Sequence, residues 1–318
     1  MYCCRRWLFT VIVITAPWCA KAQDVDSLAL SGIDDVLTLE DSLSIFSMID
    51  SLLQYSDSNS SQLAIRLGYN SNVLSAGRTL GIENFGLSTG VSFYHKSGLY
   101  ADVSGYWSKD FDPSYYLTVA SAGYMHVFSK FFSIMGGYDR YFYNMNDGDQ
   151  YIPYKNTLSV TPIIELKPFM FSFNYAFYFG DAYVNRIMPG ISVILQKKKF
   201  LGLDRISFSP SFYVLFGDET LTEIDFVPPR SLAEARMNKQ LYGTFFSQVE
   251  KNSRVFGVMN YTISAPLMVT YKNWGFSFTY AYSIPKALPG EPLTLSESSY
   301  LMGSITYFID LKRNKLAL

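Results

Sequence analysis

Aromatic residues alternate with polar or small residues in the segment from Phe169 to Phe179. The aromatic positions are Phe169, Phe171, Phe173, Tyr175, Phe177 and Phe179. The residues between them include Ser172, Asn174, Ala176 and Tyr178. A period of two places successive side chains on opposite faces of a β-strand. The segment is therefore predicted to be a strand with one aromatic face, and lipid covers such a face without a second sheet.

The same alternation recurs along most of the chain, for example in the segments that begin at Leu63, Leu99 and Phe276. Alternating segments of about ten residues are typical of transmembrane barrels, because only a closed sheet pairs every backbone group in hydrocarbon. The pattern predicts twelve strands, near residues 62–74, 85–95, 99–107, 115–128, 132–143, 156–166, 169–179, 183–196, 205–216, 254–268, 275–283 and 299–310. An even number of strands returns both ends of the barrel to one side of the membrane.

From residue 62 to residue 310 the chain resembles Gram-negative outer-membrane β-barrel proteins. The resemblance is one of architecture and includes no catalytic motif. It implies an all-β fold, a transmembrane antiparallel up-and-down β-barrel, with short basic turns in the periplasm and longer loops outside. It also implies contact with outer-membrane lipids and insertion by the barrel-assembly machinery. Residues 311–318 depart from the family pattern, because they add a basic periplasmic tail after the last strand.

Residues 1–22 have the features of a secretory signal peptide. Arg5 and Arg6 precede an apolar run, and Ala20 and Ala22 are the small residues that a signal peptidase requires. Cleavage is expected before Gln23, with the mature chain exported to the cell outer membrane. All three cysteines lie in this segment, so the mature chain is expected to have no disulfide, thiolate nucleophile or zinc-thiolate site.

Residues 23–61 form an acidic leader that is predicted to lie in the periplasm. It contains eight acidic residues and no Lys or Arg, whereas residues 62–318 contain 23 basic and 19 acidic residues. The spacing of apolar residues predicts a helix over 39–53 with Leu43, Phe46 and Ile49 on its apolar face. We expect this helix to dock on the basic periplasmic end of the barrel and partly plug it. The alternative is a leader that binds a second protein.

The longest predicted loop covers residues 217–253 and is expected to be extracellular. Within it, Ser231 and Glu234 form a capping box, and apolar residues follow at helical spacing. A helix here would either cover the rim or mouth of the barrel or bind a protein partner. No concentrated basic stripe is present, so nucleic-acid binding is not expected.

Charged residues within the predicted strands are the candidates for a lumen. A charge at lipid depth costs several kcal/mol, so such residues usually face inward. The lumen-lining candidates are Arg66, Asp102, Asp139, Glu165 and Arg186. They are interpreted either as ion pairs that fill and stiffen a narrow barrel or as the lining of a solute pathway.

One pair of residues fits catalysis in part. Some outer-membrane lipid hydrolases place a His base and a Ser nucleophile two residues apart on a strand, as His95 and Ser97 are here. Those families orient the His with an Asn or Glu about a dozen residues later, but this chain has Lys109 there and reaches a predicted turn at Ser97. We therefore predict no catalytic residue, no metal site and no cofactor.

The function predicted from the sequence is a passive channel for small polar solutes. The alternative is a non-conducting barrel that serves as a complex subunit or surface-binding module through loop 217–253 or leader 23–61. The third hypothesis is an outer-membrane lipid hydrolase.

The leader prediction can be checked by deleting residues 24–58. Because a docked helix would obstruct the periplasmic mouth, the deletion should raise single-channel conductance in a planar bilayer. Crosslinks from position 46 should reach strand ends of the same chain. Unchanged conductance, with crosslinks only to other proteins, would favour a leader that binds a partner.

Overall fold

The computed structural model describes residues 60–71, 86–109, 111–144, 153–291 and 296–311. Within these ranges the chain forms β-strands throughout and one helix, α1 (Leu232–Tyr242). The strands are β1 (Ser61–Asn70), β2 (Gly86–Tyr94), β3 (Leu99–Ser108), β4 (Tyr115–Val127), β5 (Phe132–Tyr143), β6 (Tyr154–Leu166), β7 (Phe169–Gly180), β8 (Tyr183–Val193), β9 (Leu195–Phe200), β10 (Leu203–Phe208), β11 (Ser211–Val227), β12 (Ser247–Tyr271), β13 (Trp274–Pro285) and β14 (Ser298–Leu311).

The strands form one antiparallel sheet that closes on itself. The closing pair is β1 with β14, in register from Ser61 opposite Leu311 to Asn70 opposite Met302. β8 and β9 are two parts of one long strand, and β10 and β11 are two parts of the next. The wall is therefore a closed barrel of twelve long strands, and the predicted fold class is confirmed.

The two faces of the wall follow the predicted alternation. On β7, Phe171 and Phe173 are exposed on the outside of the barrel, whereas Ser172 and Asn174 are buried on the inside. The apolar residues on the outer faces of β1 and β3 are likewise exposed. An apolar exterior around a closed sheet is what a membrane-spanning barrel requires, because hydrocarbon can hydrogen-bond no backbone group.

One half of the lumen is packed with large side chains. Tyr100, Met125, Met135, Ile163 and Met170 form one buried cluster within β3 to β7. The ring of Tyr100 lies over two glycines of β4 and β5, and a Cβ added at Gly137 would come within 2.6 Å of its hydroxyl oxygen. Any larger residue at Gly137 would therefore displace Tyr100. A second cluster, on β8, β11 and β12, consists of Met188, Tyr213, Leu215 and Met259 with Leu288 of the connection between β13 and β14.

The predicted loop 217–253 is a paired β-hairpin over much of its length. β11 continues to Val227 and β12 begins at Ser247, and the two pair along this whole length. β11 pairs with β8 only as far as Gly217, and β12 pairs with β13 only from Asn260, so the hairpin above these residues stands beyond the barrel. We call residues 218–256 the arm. Ten residues at about 3.3 Å each give its strands a length of roughly 33 Å.

The sequence did not predict the strands of the arm because the signal that predicted the others is absent there. Hydrocarbon imposes one apolar face on each strand of the wall, and that face produces the alternation. Beyond the membrane both faces of a hairpin meet water, so no such alternation is required. The arm is instead defined by the β11–β12 hydrogen bonds, which a pattern of apolar residues does not reveal.

Helix α1 lies in the connection at the tip of the arm, as its capping residues predicted. The hydroxyl oxygen of Ser231 accepts a hydrogen bond from the Glu234 backbone N–H at 3.2 Å. The Glu234 carboxylate accepts one from the Arg230 backbone N–H at 2.8 Å. Gly243 ends the helix with φ at 70°, the left-handed conformation that favours glycine.

Several predictions lie outside the described residues. They are the signal peptide over 1–22, the leader helix over 39–53 with Leu43, Phe46 and Ile49, and most of the tail over 311–318. The described part of the chain has no helix that is long and apolar enough to span a membrane.

The assignment of faces predicts opposite effects for two neighbours on β13. Phe278 is exposed on the outside, and Thr279 faces the lumen. Phe278→Lys should destabilise the barrel by about 2–4 kcal/mol if it lies near the bilayer midplane, because it places a charge in hydrocarbon. Thr279→Lys should leave folding in vesicles intact. Heat-modifiable gel migration measures the folded fraction, and equal losses for the two variants would contradict the register.

Candidate functional site

The other side of the lumen carries many small polar side chains, together with larger ones such as Tyr94, Tyr106 and Met302. We call this strip the polar lane, and it is formed by β1 to β3 together with β13 and β14. Its lumen-facing residues are Arg66, Ser88, Ser92, Ser104, Ser277, Thr279, Ser304 and Thr306. Hydroxyl groups can donate hydrogen bonds to water or a polar solute and accept hydrogen bonds from them.

Two cavities lie along the polar lane. The larger, of about 110 Å³, is lined by Gly68, Asn70 and Thr279, towards the end where β1 runs into its long connection to β2. The smaller, of about 30 Å³, is lined by Ala64 and Thr306, towards the opposite end. Arg66, Ser277 and Ser304 line both cavities. Arg66 therefore lies between them.

Arg66 is held by an ion pair that reaches across a strand. It lies on β1, and its Nη2 atom is 3.3 Å from Oδ1 of Asp102 on β3. The same nitrogen donates a hydrogen bond to Oγ of Ser104 at 3.0 Å. The path crosses Gly90 of β2, where an added Cβ would lie 2.5 Å from the Ser104 hydroxyl and 3.2 Å from the guanidinium. The glycine leaves the space that lets Arg66 reach β3.

Asp102 has further partners besides Arg66. The Ser104 hydroxyl donates to its Oδ2 at 2.6 Å, and the Ser92 hydroxyl donates to its Oδ1. Both carboxylate oxygens therefore accept hydrogen bonds inside the barrel. On the opposite side of the lane, the hydroxyls of Ser277 and Ser304 are joined at 2.8 Å. A buried carboxylate that accepts this many hydrogen bonds is held in position.

The other sequence candidates do not join this cluster. Asp139 faces the lumen on β5 and is hydrogen-bonded to the side chain of Ser121 on β4. No basic side chain lies within ion-pair distance of Asp139 among the residues that the structure describes. Glu165 lies near the short turn between β6 and β7 and pairs with Lys167 at 3.4 Å. Of the five candidates, only Arg66 and Asp102 meet.

Arg186 belongs to a separate network at the base of the arm. Its side chain is only 2% exposed and lies against Gly217, the last residue of β11 that pairs with β8. Its Nη2 atom is 3.2 Å from Oε2 of Glu219, and its Nη1 atom is 3.8 Å from Oδ1 of Asp218. Asp218 also pairs with Arg254 of β12. The network joins β8, β11 and β12 at the point where the arm extends beyond the barrel wall.

Two further contacts strengthen this base. The guanidinium of Arg254 lies 4.4 Å from the ring centroid of Tyr183 on β8. Asn185 of β8 donates to Asp218 from its backbone and its side chain. Sequence analysis missed Asp218, Glu219 and Arg254 because it placed them in or at the edge of a loop. The sequence offered one signal for this network. Asp218 and Glu219 follow one predicted strand closely, and Arg254 stands at the start of the next.

His95 and Ser97 do meet, but in the geometry of a turn. His95 Nδ1 and Ser97 Oγ are 2.8 Å apart, and the same Nδ1 accepts the Ser97 backbone N–H at 3.3 Å. Gly98, with φ at 95°, completes the turn by donating its N–H to the His95 carbonyl. Both side chains are accessible to solvent, and no carboxylate is bonded to the imidazole among the described residues. The arrangement fits a cap on the β2–β3 turn.

The described residues contain no group of three or more His, Cys, Asp or Glu side chains that could hold a metal ion. The lumen therefore has to be interpreted from its hydroxyls, its amides and the Arg66–Asp102 pair.

Comparison with known proteins gives similarity of fold alone. No protein-family model matches the sequence, and no similar curated protein was found. Among solved structures, the KdgM porin matches with a TM-score of 0.44 and 10% identity, over 77% of this chain and 98% of that chain. The NanC porin has a TM-score of 0.40 and 11% identity, over 77% and 98%. OprD from Pseudomonas aeruginosa has a TM-score of 0.34 and 13% identity, over 78% and 65%.

These scores are too low to carry residue roles or substrates from those proteins to this chain. The three neighbours are described as porins or outer-membrane proteins.

The buried network at the arm base should contribute more to stability than an exposed ion pair. Arg186→Met leaves Glu219 and Asp218 without that guanidinium and should lower the free energy of unfolding by about 3–5 kcal/mol. The control is Lys155→Met, because Lys155 and Asp181 pair at 2.7 Å with both side chains exposed. That change should cost about 0–1 kcal/mol. The urea concentration at the midpoint of unfolding, measured for the refolded protein in detergent, compares the two variants. Equal decreases in the midpoint would contradict a stabilising role for the Arg186 network.

Proposed function

We propose that this protein is a passive channel for small polar solutes, with the polar lane as its pathway. The observation that supports the proposal is the pair of cavities on either side of Arg66, inside a closed barrel. Hydroxyl groups line much of that strip, so a polar solute can exchange its water for protein hydrogen bonds as it passes. The packed half of the lumen leaves only the lane, so the solutes are small.

The pathway has little net charge at its centre. Arg66 and Asp102 neutralise each other at 3.3 Å, and the hydroxyls of Ser92 and Ser104 form hydrogen bonds with the pair. A small uncharged solute with several hydroxyl or amide groups fits this lining better than a strongly charged one. The channel is therefore expected to discriminate weakly between anions and cations.

The proposed location is the outer membrane of a Gram-negative cell, after removal of residues 1–22. The short turns of the barrel, such as those at Gly98 and Gly202, would face the periplasm. The arm would then stand outside the cell. This orientation follows the usual asymmetry of bacterial barrels, in which the long connections are extracellular.

The arm favours a second candidate function, a surface-binding module. Around its tip, Leu232, Met237, Leu241 and Phe245 are all more than half exposed. Apolar side chains grouped on an exposed element often mark a contact site for another protein. The packed half of the lumen also suits a barrel that conducts little.

Single-channel recording in a planar bilayer tests the channel. Arg66→Ala removes the side chain between the two cavities, so we expect a larger unit conductance than in the natural protein. Asp102 keeps its bonds from Ser92 and Ser104, so the variant should also prefer cations. Arg66→Lys is the matched control, because it retains the charge, and it should conduct like the natural protein.

Folding is checked by heat-modifiable migration on gels. Folded natural protein and folded Arg66→Ala that both remain silent would contradict the channel and favour the surface-binding module. Conductance in Arg66→Ala equal to that of the natural protein would place the pathway elsewhere in the lumen.

A further inference from the structure

A guanidinium faces lipid on the outside of the barrel. On β5, Asp139 and Tyr141 point inward, so Arg140 between them points outward, on the same face as Tyr138 and Phe142. A lipid-facing Arg costs about 2–4 kcal/mol at the bilayer midplane but only about 0–1 near the interfaces. The depth of Arg140 in the bilayer therefore decides whether its charge is tolerated and whether it can reach lipid headgroups.

Outward aromatic side chains place Arg140 near an interface. Tyr138 and Phe142 are 40% and 53% exposed, and the Arg140 guanidinium lies 5.7 Å from the Phe142 ring centroid. Trp107 and Tyr115, with ring centroids 4.8 Å apart, flank the β3–β4 connection at the same end of the barrel. Rings at this position form the girdle that marks the level of lipid headgroups.

The neighbours of Arg140 fix it in place without neutralising it. Its Nη1 atom donates to Oδ1 of Asn156 at 2.8 Å, and the Tyr138 hydroxyl donates to the same oxygen at 2.7 Å. Asn156 is only 9% exposed, and its amide nitrogen donates to the Phe179 carbonyl at 3.3 Å. On its other side Arg140 faces Ala120 of β4, whose methyl group covers little. The Nε and Nη2 atoms of Arg140 have no acceptor among the described residues.

Two other basic residues near this end of the barrel are paired with acids. Lys155 is 2.7 Å from Asp181, and Arg254 pairs with Asp218. Arg140 has only neutral partners in the described part of the chain. A fixed positive charge at headgroup level, with its remaining donors available, is suited to bind an anion from the membrane.

We propose that Arg140 is a binding site for a phosphate group of an outer-leaflet lipid. A guanidinium presents two parallel N–H groups to a phosphate, and such charge-assisted bonds are about twice as strong as neutral ones. Tyr138 and Phe142 flank the guanidinium and would pack against the apolar part of the same lipid. The site faces away from the lumen, so it does not depend on whether the barrel conducts.

Native mass spectrometry of the full chain, refolded in detergent and titrated with bisphosphorylated lipid A, tests the site. Arg140→Gln removes the charge and keeps a polar side chain that can still donate hydrogen bonds. It should need on the order of tenfold more lipid for the same bound fraction. Lys155→Gln is the matched control at the same rim and should bind like the natural protein.

Two results would overturn the proposal. One is equal lipid retention by Arg140→Gln and the natural protein, with folding verified by heat-modifiable migration. The other is complete displacement of the lipid by millimolar inorganic phosphate, which would indicate a simple anion site. Retention of lipid in the presence of phosphate supports the lipid. Arg140→Gln should also conduct like the natural protein, so failure of the channel proposal and failure of this one are distinguishable.

Discussion

The hydrogen bonds between β1 and β14 are the interaction on which the rest of the structure depends. In hydrocarbon a sheet cannot leave an edge open, because each unpaired backbone group costs several kcal/mol. The ten-residue register from Ser61 to Asn70 closes the ring and so satisfies the backbone of both terminal strands. Closure also creates the lumen, and every inward side chain then has to be accommodated in the space that twelve strands enclose.

That limited space explains the division of the lumen. Large residues such as Tyr100 and Met135 fill one half, and glycines on the neighbouring strands β4 and β5 make room for Tyr100. On the other side, Gly90 allows Arg66 to extend over β2, and Ser88, Ser92 and Ser104 add hydroxyl groups to the lining. The two sides of one wall thus differ, and β3 contributes to both, through Tyr100 on the packed side and Ser104 on the polar side. The Arg66–Asp102 pair lies in the polar part, where hydroxyl groups hold both charges.

Most of the wall could be predicted from the sequence because lipid imposes a period of two on every strand that it contacts. The helix at 232–242 was predicted by its capping residues Ser231 and Glu234. The pairing of Arg66 with Asp102 could not be predicted, because it depends on the register of two successive hairpins and on the absence of a side chain at Gly90. The network of Arg186 was missed for another reason. Its partners lie where strand β11 leaves the membrane, and the alternation that reveals strands ends there.

The arm has a further consequence that concerns its edges. Within the wall each strand has a neighbour on both sides, so the sheet is complete in itself. Above Gly217 and Asn260 the ribbon has two strands, and in the described residues each of them pairs only with the other. In the described residues these outer edges have no neighbouring strand, although Arg186 donates a hydrogen bond to the Asp218 carbonyl at the base. An extended segment of another chain can add to such an edge as a further strand. The same backbone hydrogen bonding that leaves no open edge within the membrane leaves an open edge on each strand of the arm outside it.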